Sequence, residues 1–515
     1  MLATAPALLA VSKPVTVEVD LSSAATPFGH NWQRCFGSGH ALLGTRSDWR
    51  AQLQTSVDQL GLRGLRMHGW LDDDMSVISP KDGSFQFFNV DTVADFLVEV
   101  GVTPIIELSF MPRALAKCKP ADCVYAFGNR GGYKGLTMPP ADYEEWYRLV
   151  RALATHLLER HGIAKVSTWK FEVWNEMWGM PYPSAYLPLY NASQAALKDV
   201  HPALQVGGPS SAGLEFVADF IADTAKGGMA VDFVSTHHYP SDPSCSHAGG
   251  EHAADPDCFA KDVLASAALA EAANKPFLLT EYKDGLQGGP GTSFGGKHGD
   301  MSYAAAFVMR NIPLLASLEV LSWWTFSDIF EEGSMYGMPF YGGYGLQTVH
   351  GVKKPVFRAF ELLAGAGTRR ARTTVADSTP AFPNATFYGG STISAFATLG
   401  GPDGVGDALQ VFVANFAGEK GTSPAPVAPV SRNVTVVLHA AADAPTSALL
   451  RRIDDNSTAP FAAWQAMGSP PYPTKSQIAA LHAASETREE VRPFAKDGSL
   501  TFEVPSYGVV AVSYQ

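Results

Sequence analysis

Trp169-Lys170-Phe171-Glu172-Val173-Trp174-Asn175-Glu176-Met177-Trp178 alternates at its start, is rich in β-formers, and turns polar where a strand of that length should end. A strand that delivers Asn175 and Glu176 at its C-terminal end has the form of one stave of a (β/α)8 barrel, where reactive groups sit at strand C-termini. Between Trp174 and Trp178 a charged carboxylate is poorly solvated, as a general acid working at neutral pH requires. Alone, an Asn-Glu pair also starts helices. The stretch Pro276-Phe277-Leu278-Leu279-Thr280-Glu281-Tyr282 weighs against that reading, because it is a second short apolar run ending on Glu. The interval between the two glutamates holds about two or three βα units. Two glutamates on different strand ends of one barrel face the same bowl, and paired carboxyls flanking one bond are the machinery of glycoside hydrolysis.

The surrounding chain supports the barrel. Strand patterns fall near 28–44, 62–69, 102–110, 205–208, 231–239 and 320–328, with amphipathic helices at 52–60, 89–100, 141–160, 186–200, 216–224, 262–274 and 303–315 between them. With the two stretches above this makes eight strands. After Leu363 short Gly- and Thr-rich strands follow at 394–399, 408–415, 433–438 and 500–513, the pattern of an antiparallel β-sandwich. The expected organisation is an α/β (β/α)8 TIM barrel over 28–365 and a C-terminal β-sandwich accessory domain over 366–515. The sandwich is expected to carry a helical insertion around 460–490. The segment 1–27 contains an alternating strand at 15–21 expected to join the sandwich.

The 515 residues are 46% hydrophobic, enough for a large core and too many for one ordinary domain. A net charge of −12 argues against nucleic acid or an anionic membrane as partner. Residues 1–11 are apolar and small but lack a basic start, so they read as a signal-peptide remnant or a frayed terminus. Glycosylation sequons at Asn191, Asn384, Asn433 and Asn456 point towards a secreted, lumenal or vacuolar glycoprotein. The cysteines agree: Cys118 with Cys123 and Cys245 with Cys258 suit local disulfides, leaving Cys35 over. A Cys-His metal site with His247 and His252 matches no standard zinc spacing, so no metal or cofactor is expected. Asp72-Asp73-Asp74 is expected to be a solvated loop rather than a cation site.

Several motifs, in order from about Leu62 to the C-terminus, resemble glycoside hydrolase family 39, the group of β-xylosidases and α-L-iduronidases. They are Arg66-Met67-His68-Gly69, Ile106-Glu107-Leu108-Ser109-Phe110, Phe171-Glu172-Val173-Trp174-Asn175-Glu176 and Val231-Asp232-Phe233-Val234-Ser235-Thr236-His237. Leu279-Thr280-Glu281-Tyr282, Trp324-Thr325-Phe326-Ser327-Asp328-Ile329-Phe330-Glu331-Glu332 and Ala463-Trp464-Gln465-Ala466-Met467-Gly468 continue the series. The resemblance implies Glu176 as acid/base, Glu281 as nucleophile and retention of configuration. It implies Asn175 on the sugar 2-hydroxyl, Tyr239 orienting Glu281, His68 and His237 on sugar hydroxyls, Trp324 under the ring and Glu332 as a further sugar contact. Trp323 is expected to be barrel packing and Asp328 structural.

The chain departs from the xylosidase pattern after the nucleophile, where Lys283 to Gln287 replace it and a Gly-rich tract, 288–299, reads as a mobile lid. An exo-acting β-D-xylosidase is the expected activity. The family's uronate-binding Lys is absent, because Tyr239 stands there, and no Arg occurs between Asn311 and Phe357. An α-L-iduronidase, with Lys283 or Lys297 as carboxylate partner, and an endo-acting glycosidase are the alternatives. A non-catalytic glycan-binding barrel is the alternative of another class; the presence of both glutamates argues against it. The partner is a carbohydrate substrate, and nothing in the sequence indicates an oligomeric state.

Overall fold

The computed structural model describes residues 14–118, 135–246, 256–286, 299–331, 338–406, 408–418, 429–440 and 447–514. Strand β1 (Val15–Asp20) lies outside the barrel. Eight parallel strands then close on themselves in chain order. They are β2 (Cys35–His40), β3 (Gly64–His68), β4 (Thr103–Leu108), β5 (Lys170–Val173), β6 (Gln205–Ser211), β7 (Phe233–His238), β8 (Phe277–Tyr282) and β9 (Val320–Trp323), which pairs back onto β2.

Helix α1 (Tyr143–His161) shows why the outer layer forms. Trp146, Leu149, Val150, Leu153, Ala154 and Leu157 recur at helical spacing and are buried. The Asp142 side chain caps its start by accepting from the Glu144 backbone N–H, and Arg160 and His161 stand at its C-terminal end.

The strand period of two sets the barrel interior. Cys35, Ile105, Phe233, Leu278 and Val320 form a small apolar plug. Two residues on, the inward positions of β4 and β8 are Glu107 and Thr280, so a polar layer lies directly above the plug. Barrel interiors are ordinarily filled by branched apolar side chains, and this reversal marks the end of the barrel where the site lies.

β5 and β9 stop before site residues that their sequence patterns included. β5 stops at Val173, because Trp174 (φ 72°) and Glu176 (φ 49°) adopt left-handed conformations that no strand continues. β9 stops at Trp323. Asn175, Glu176 and Trp324 therefore sit on loops just past their strands.

The second body is built from β1 and the chain after the barrel. Its strands are β10 (Arg369–Ala376), β11 (Ile393–Leu399), β12 (Leu409–Asn415), β13 (Arg432–His439), β14 (Ser447–Ile453), β15 (Arg488–Pro493), β16 (Leu500–Val504) and β17 (Val509–Tyr514). They run in the order β15-β14-β17-β12-β11-β10-β1-β13-β16. β1 pairs antiparallel with β10 and parallel with β13. β10 joins the two halves: Arg369–Ala371 pair with β11, and Arg372–Ala376 pair with β1. Val15, Val17, Val411, Val434, Phe502 and Val512 share one core between those halves.

Several expectations change here, and β14 lies where no strand was expected. The single strand at 500–513 is two strands in different sheets, β16 on β13 and β17 on β12 and β14. Pro505 and the Gly508 turn carry the chain across. β15 falls where the helical insertion was expected to end. β10, rich in Arg and Thr, carries too little alternating apolar signal to be read as a strand. The insertion does hold two helices, Pro460–Ala466 and Lys475–Ala484.

Cys245 and Cys258 form a disulfide, and Cys35 is free and buried. The other expected pair falls partly on Cys123, outside the described residues, as do His247, His252, Gln287, Lys297, Glu332 and the tract 287–298. Asp72 is a correction. It is buried, with its carboxylate accepting from the Phe110 backbone N–H at 2.9 Å and pairing with His40 at 3.0 Å. It anchors the loop and is not solvated. Among the described residues no helix is long and apolar enough to cross a membrane.

Candidate active site

The C-terminal ends of β3 to β9 bring Arg66, His68, Glu107, Glu172, Asn175, Glu176, His237, Tyr239, Glu281 and Trp324 to one bowl. Seven of the sequence-selected residues (all but Glu332) are among them. Oxygens of Glu176 and Glu281 and a ring nitrogen of His237 lie within 4.8 Å of one another. His237 Nδ1 stands 3.0 Å from Glu176 Oε1 and 3.6 Å from Glu281 Oε2. Tyr239 donates its hydroxyl to Glu281 Oε2 at 2.7 Å. Glu281 Oε1 accepts from Arg66 Nη1 at 2.6 Å.

Arg66 is the residue that sequence reasoning missed as a site member. Its guanidinium is fully buried and bonds Glu172 Oε2 at 2.5 Å, Asn175 Oδ1 at 2.9 Å and Ser210 Oγ at 3.1 Å, besides Glu281. It also pairs with Glu107 at 2.6 Å. Glu107 and Glu172 were missed with it. The available signal was a lone charge at an inward position of an apolar strand. Arg66 shares parity with His68, and Glu172 lies in register with Glu107 across the β4–β5 ladder.

One cation among three buried carboxylates sets the charges. Burial raises the Glu107 carboxyl to about 7, more than the adjacent Arg66 can offset. Burial also opposes charge on Glu172, but there Arg66 wins and holds it below its ordinary value. His237 differs from His68. Burial works against its charged form, yet Glu281 and the bond to Glu176 outweigh it and raise His237. His68 is held well below its usual value by burial, reinforced by Arg66, His40 and His237 against the pull of Glu281. His68 Nδ1 faces Glu107 Oε2 at 2.7 Å, so a neutral ring donating there turns an acceptor nitrogen, Nε2, towards the bowl, 3.7 Å from Glu281.

Asn175 is buried with Oδ1 on Arg66, and its Nδ2 has no partner. A buried amide N–H2 left so aims two donors at whatever fills the bowl. Trp324 is 3% exposed and packs against His68 at 4.5 Å between ring centroids and against Phe330 at 5.8 Å. Trp323 turns outward onto Tyr282 and Phe360 as barrel packing. Trp174 is buried against Phe110 and Trp146 rather than boxing in Glu176. Trp178 supplies that contact instead, its Nε1 donating to Glu176 Oε2 at 2.5 Å.

Asp328 is buried and salt-bridged to Lys354 at 2.7 Å. Glu331 accepts from the His40 backbone N–H at 3.0 Å. Lys283 is buried, ion-paired to its neighbour Asp284, and lies over Trp323 at 5.7 Å from the ring centroid. His40, Asp72 and Asp74 also bring ligand atoms within 4.8 Å of one another, but burial of a His–Asp ion pair already accounts for them.

Residues 15–501 match the family model for glycosyl hydrolases family 39. A β-xylosidase of Caldicellulosiruptor saccharolyticus is 35% identical over 94% of this chain and 94% of its own. The human α-L-iduronidase is 24% identical over 97% of this chain and 78% of its own. The crystal structure of a monomeric β-xylosidase from Caulobacter crescentus superposes with a TM-score of 0.77 at 28% identity, covering 97% of this chain and 99% of that one.

Proposed function

The chain belongs to glycosyl hydrolases family 39 and is a glycosidase, and from that premise we propose that it is a retaining, exo-acting β-D-xylosidase with Glu281 as nucleophile and Glu176 as acid/base. The observation that carries the reading is that one oxygen of Glu176 and one of Glu281 lie within 4.8 Å of each other with the His237 ring nitrogen beside both. Retaining enzymes hold their carboxyls about 5–5.5 Å apart, too close for the water an inverting enzyme admits.

In the first step Glu281 attacks the anomeric carbon, the glycosidic C–O bond breaks, and the Glu176 proton passes to the leaving oxygen. In the second, ionised Glu176 takes a proton from water, whose oxygen attacks the anomeric carbon and releases Glu281 with the proton returned to the pair. Arg66 and Tyr239 each hold one Glu281 oxygen, fixing its aim and stabilising the carboxylate as leaving group. Asn175 Nδ2 suits the sugar 2-hydroxyl, His68 and His237 further hydroxyls, and Trp324 the floor beneath the ring. Glu332 is carried as a sugar contact by the family resemblance alone.

A neutral pentose is supported by the charges. A uronate needs a cation, since a buried carboxylate without one costs several kcal/mol. Lys283 is committed to Asp284, and Arg66 is surrounded by carboxylates. The ratio of kcat/KM for aryl β-D-xyloside and aryl α-L-iduronide tests this, with at least a hundredfold preference for the xyloside expected; preference for the iduronide would overturn it. Release of xylose alone from xylo-oligosaccharides is expected of exo action, and internal fragments would indicate an endo-acting enzyme.

The same reading divides the chain into a catalytic barrel, 28–365, and an accessory sandwich, 366–515, joined by 1–27. It also makes the protein a secreted or lumenal glycoprotein. The four sequon asparagines are exposed and Cys245–Cys258 is oxidised, which supports both.

A further inference from the structure

The chain has ten tryptophans. Nine are buried, none more than 8% exposed, and Trp178 alone stands 59% exposed. Packing does not explain an indole in water at that position. Its ring nitrogen does explain where it stands, since it donates to Glu176 Oε2 at 2.5 Å.

The surrounding geometry gives this side chain a direction. From Glu281 (5% exposed) the path runs to His237, then to Glu176 (7% exposed), whose Oε1 faces inward to His237 and whose Oε2 faces outward to Trp178. Exposure rises only at the indole. The backbone holds it there: Glu176 is fixed by its N–H donating to the Ser210 carbonyl at 2.7 Å. Two residues past Trp178, Met180 closes a turn onto the Met177 carbonyl at 3.2 Å. Gly179, at φ 81°, presses so closely on Thr137 that an added Cβ would stand 2.6 Å from its hydroxyl.

We infer that Trp178 is the leaving-group platform of this enzyme, its exposed indole face receiving the aglycone or second sugar while its N–H holds Glu176 in position. The inference rests on Glu176 being the acid. A general acid must face the oxygen that departs, so the leaving group lies on the acid's outer side, where the indole is. Sugars and aryl groups both offer apolar faces that stack on an aromatic ring, with the ring's polar edge left to bond. The platform accounts for a large apolar side chain kept at a wet rim, and the N–H accounts for its orientation.

Two variants separate the two contributions. Trp178→Ala removes both; Trp178→Phe keeps an aromatic face and removes the N–H. Neither is expected to impair folding, because the side chain is mostly outside the core. Binding of phenyl 1-thio-β-D-xyloside and of free xylose is measured for each, and neither probe requires turnover. Trp178→Ala is expected to weaken the thioglycoside about tenfold and leave xylose within about twofold. Trp178→Phe is expected to keep both affinities within about twofold but to lower kcat/KM for a poor leaving group, such as the phenyl or methyl xyloside, about five- to tenfold, while sparing the dinitrophenyl xyloside. Equal weakening of xylose and thioglycoside, or no change in either for the Ala variant, would overturn the platform. Azide rescue of Glu176→Ala reports on the acid separately. If that rescue is intact and the affinity split is absent, the platform alone fails; if rescue is absent, the acid assignment fails first.

Discussion

At Glu176 the proposed acid/base role is argued from position: its outer oxygen faces Trp178 and its inner oxygen faces His237. Glu176→Ala is expected to lose activity most on substrates with poor leaving groups, by about a thousandfold, and least on activated aryl glycosides, which need little protonation. Azide should restore turnover on the activated substrates. Equal losses on every leaving group would contradict the role. Trp324 gives a second prediction at this scale. An added Cβ at Gly37 would stand 2.4 Å from its ring, so Gly37→Ala must push the indole into the bowl. KM should rise about tenfold with a smaller change in kcat, and an unchanged KM would remove Trp324 from the sugar floor. Glu176 and Glu281 were legible from their strand ends, whereas Asn175, His68, His237, Tyr239 and Trp324 were picked out through the family resemblance, and each stands at or just beyond a strand end. Arg66, Glu107 and Glu172 were not, because charge in a barrel interior becomes interpretable only when its partners on three other strands are seen together.

Among the elements, β4 carries a pH dependence. Burial raises Glu107 to about 7 from an ordinary 4.5, with Arg66, Glu172, His68, His237 and Ser109 as the groups that face it. A raised carboxyl means that the folded state holds the proton more tightly than the unfolded one. Its stabilising effect is therefore full below about 4.5 and lost as pH climbs through about 7. Between pH 5 and 7.5 the natural protein should lose on the order of 2 kcal/mol relative to Glu107→Gln, read from urea midpoints. Comparison with the variant largely cancels the other titrating groups, so parallel pH profiles would refute the shift. The barrel strands and helices were readable because hydrophobic period and strand–helix alternation agree along that half of the chain. The sandwich was read less completely. β10, in the middle of the strand order, and β15, at its edge, are polar segments whose pairing comes from neighbouring strands rather than from their own composition, and β16 and β17 are continuous in apolar pattern yet belong to different sheets.

Over the whole molecule, barrel and sandwich share a core. Phe396, Phe412 and Phe416 pack with Tyr303 and Phe307 of the helix Ser302–Asn311, at 5.2 Å between the rings of Tyr303 and Phe416. Arg310 on the same helix is buried, bonded to Asp257 at 2.9 Å and to the Ser391 carbonyl at 3.1 Å. Arg310→Met should cost about 3–5 kcal/mol, because it strips a buried carboxylate of its cation. A loss within 1 kcal/mol, measured by chemical unfolding, would show that the joint rests on its aromatic contacts alone. The sandwich thus supports the barrel whose strand ends hold the two glutamates.

The most direct test of that pair is covalent. Incubated with 2-deoxy-2-fluoro-β-D-xylosyl fluoride, the enzyme should lose activity stoichiometrically, and peptide mapping by mass spectrometry should place one fluoroxylosyl ester on Glu281, on the peptide containing Leu279-Thr280-Glu281-Tyr282. A label on Glu176, Glu172 or Glu107, or hydrolysis of aryl xylosides with inversion at the anomeric carbon, would contradict the account.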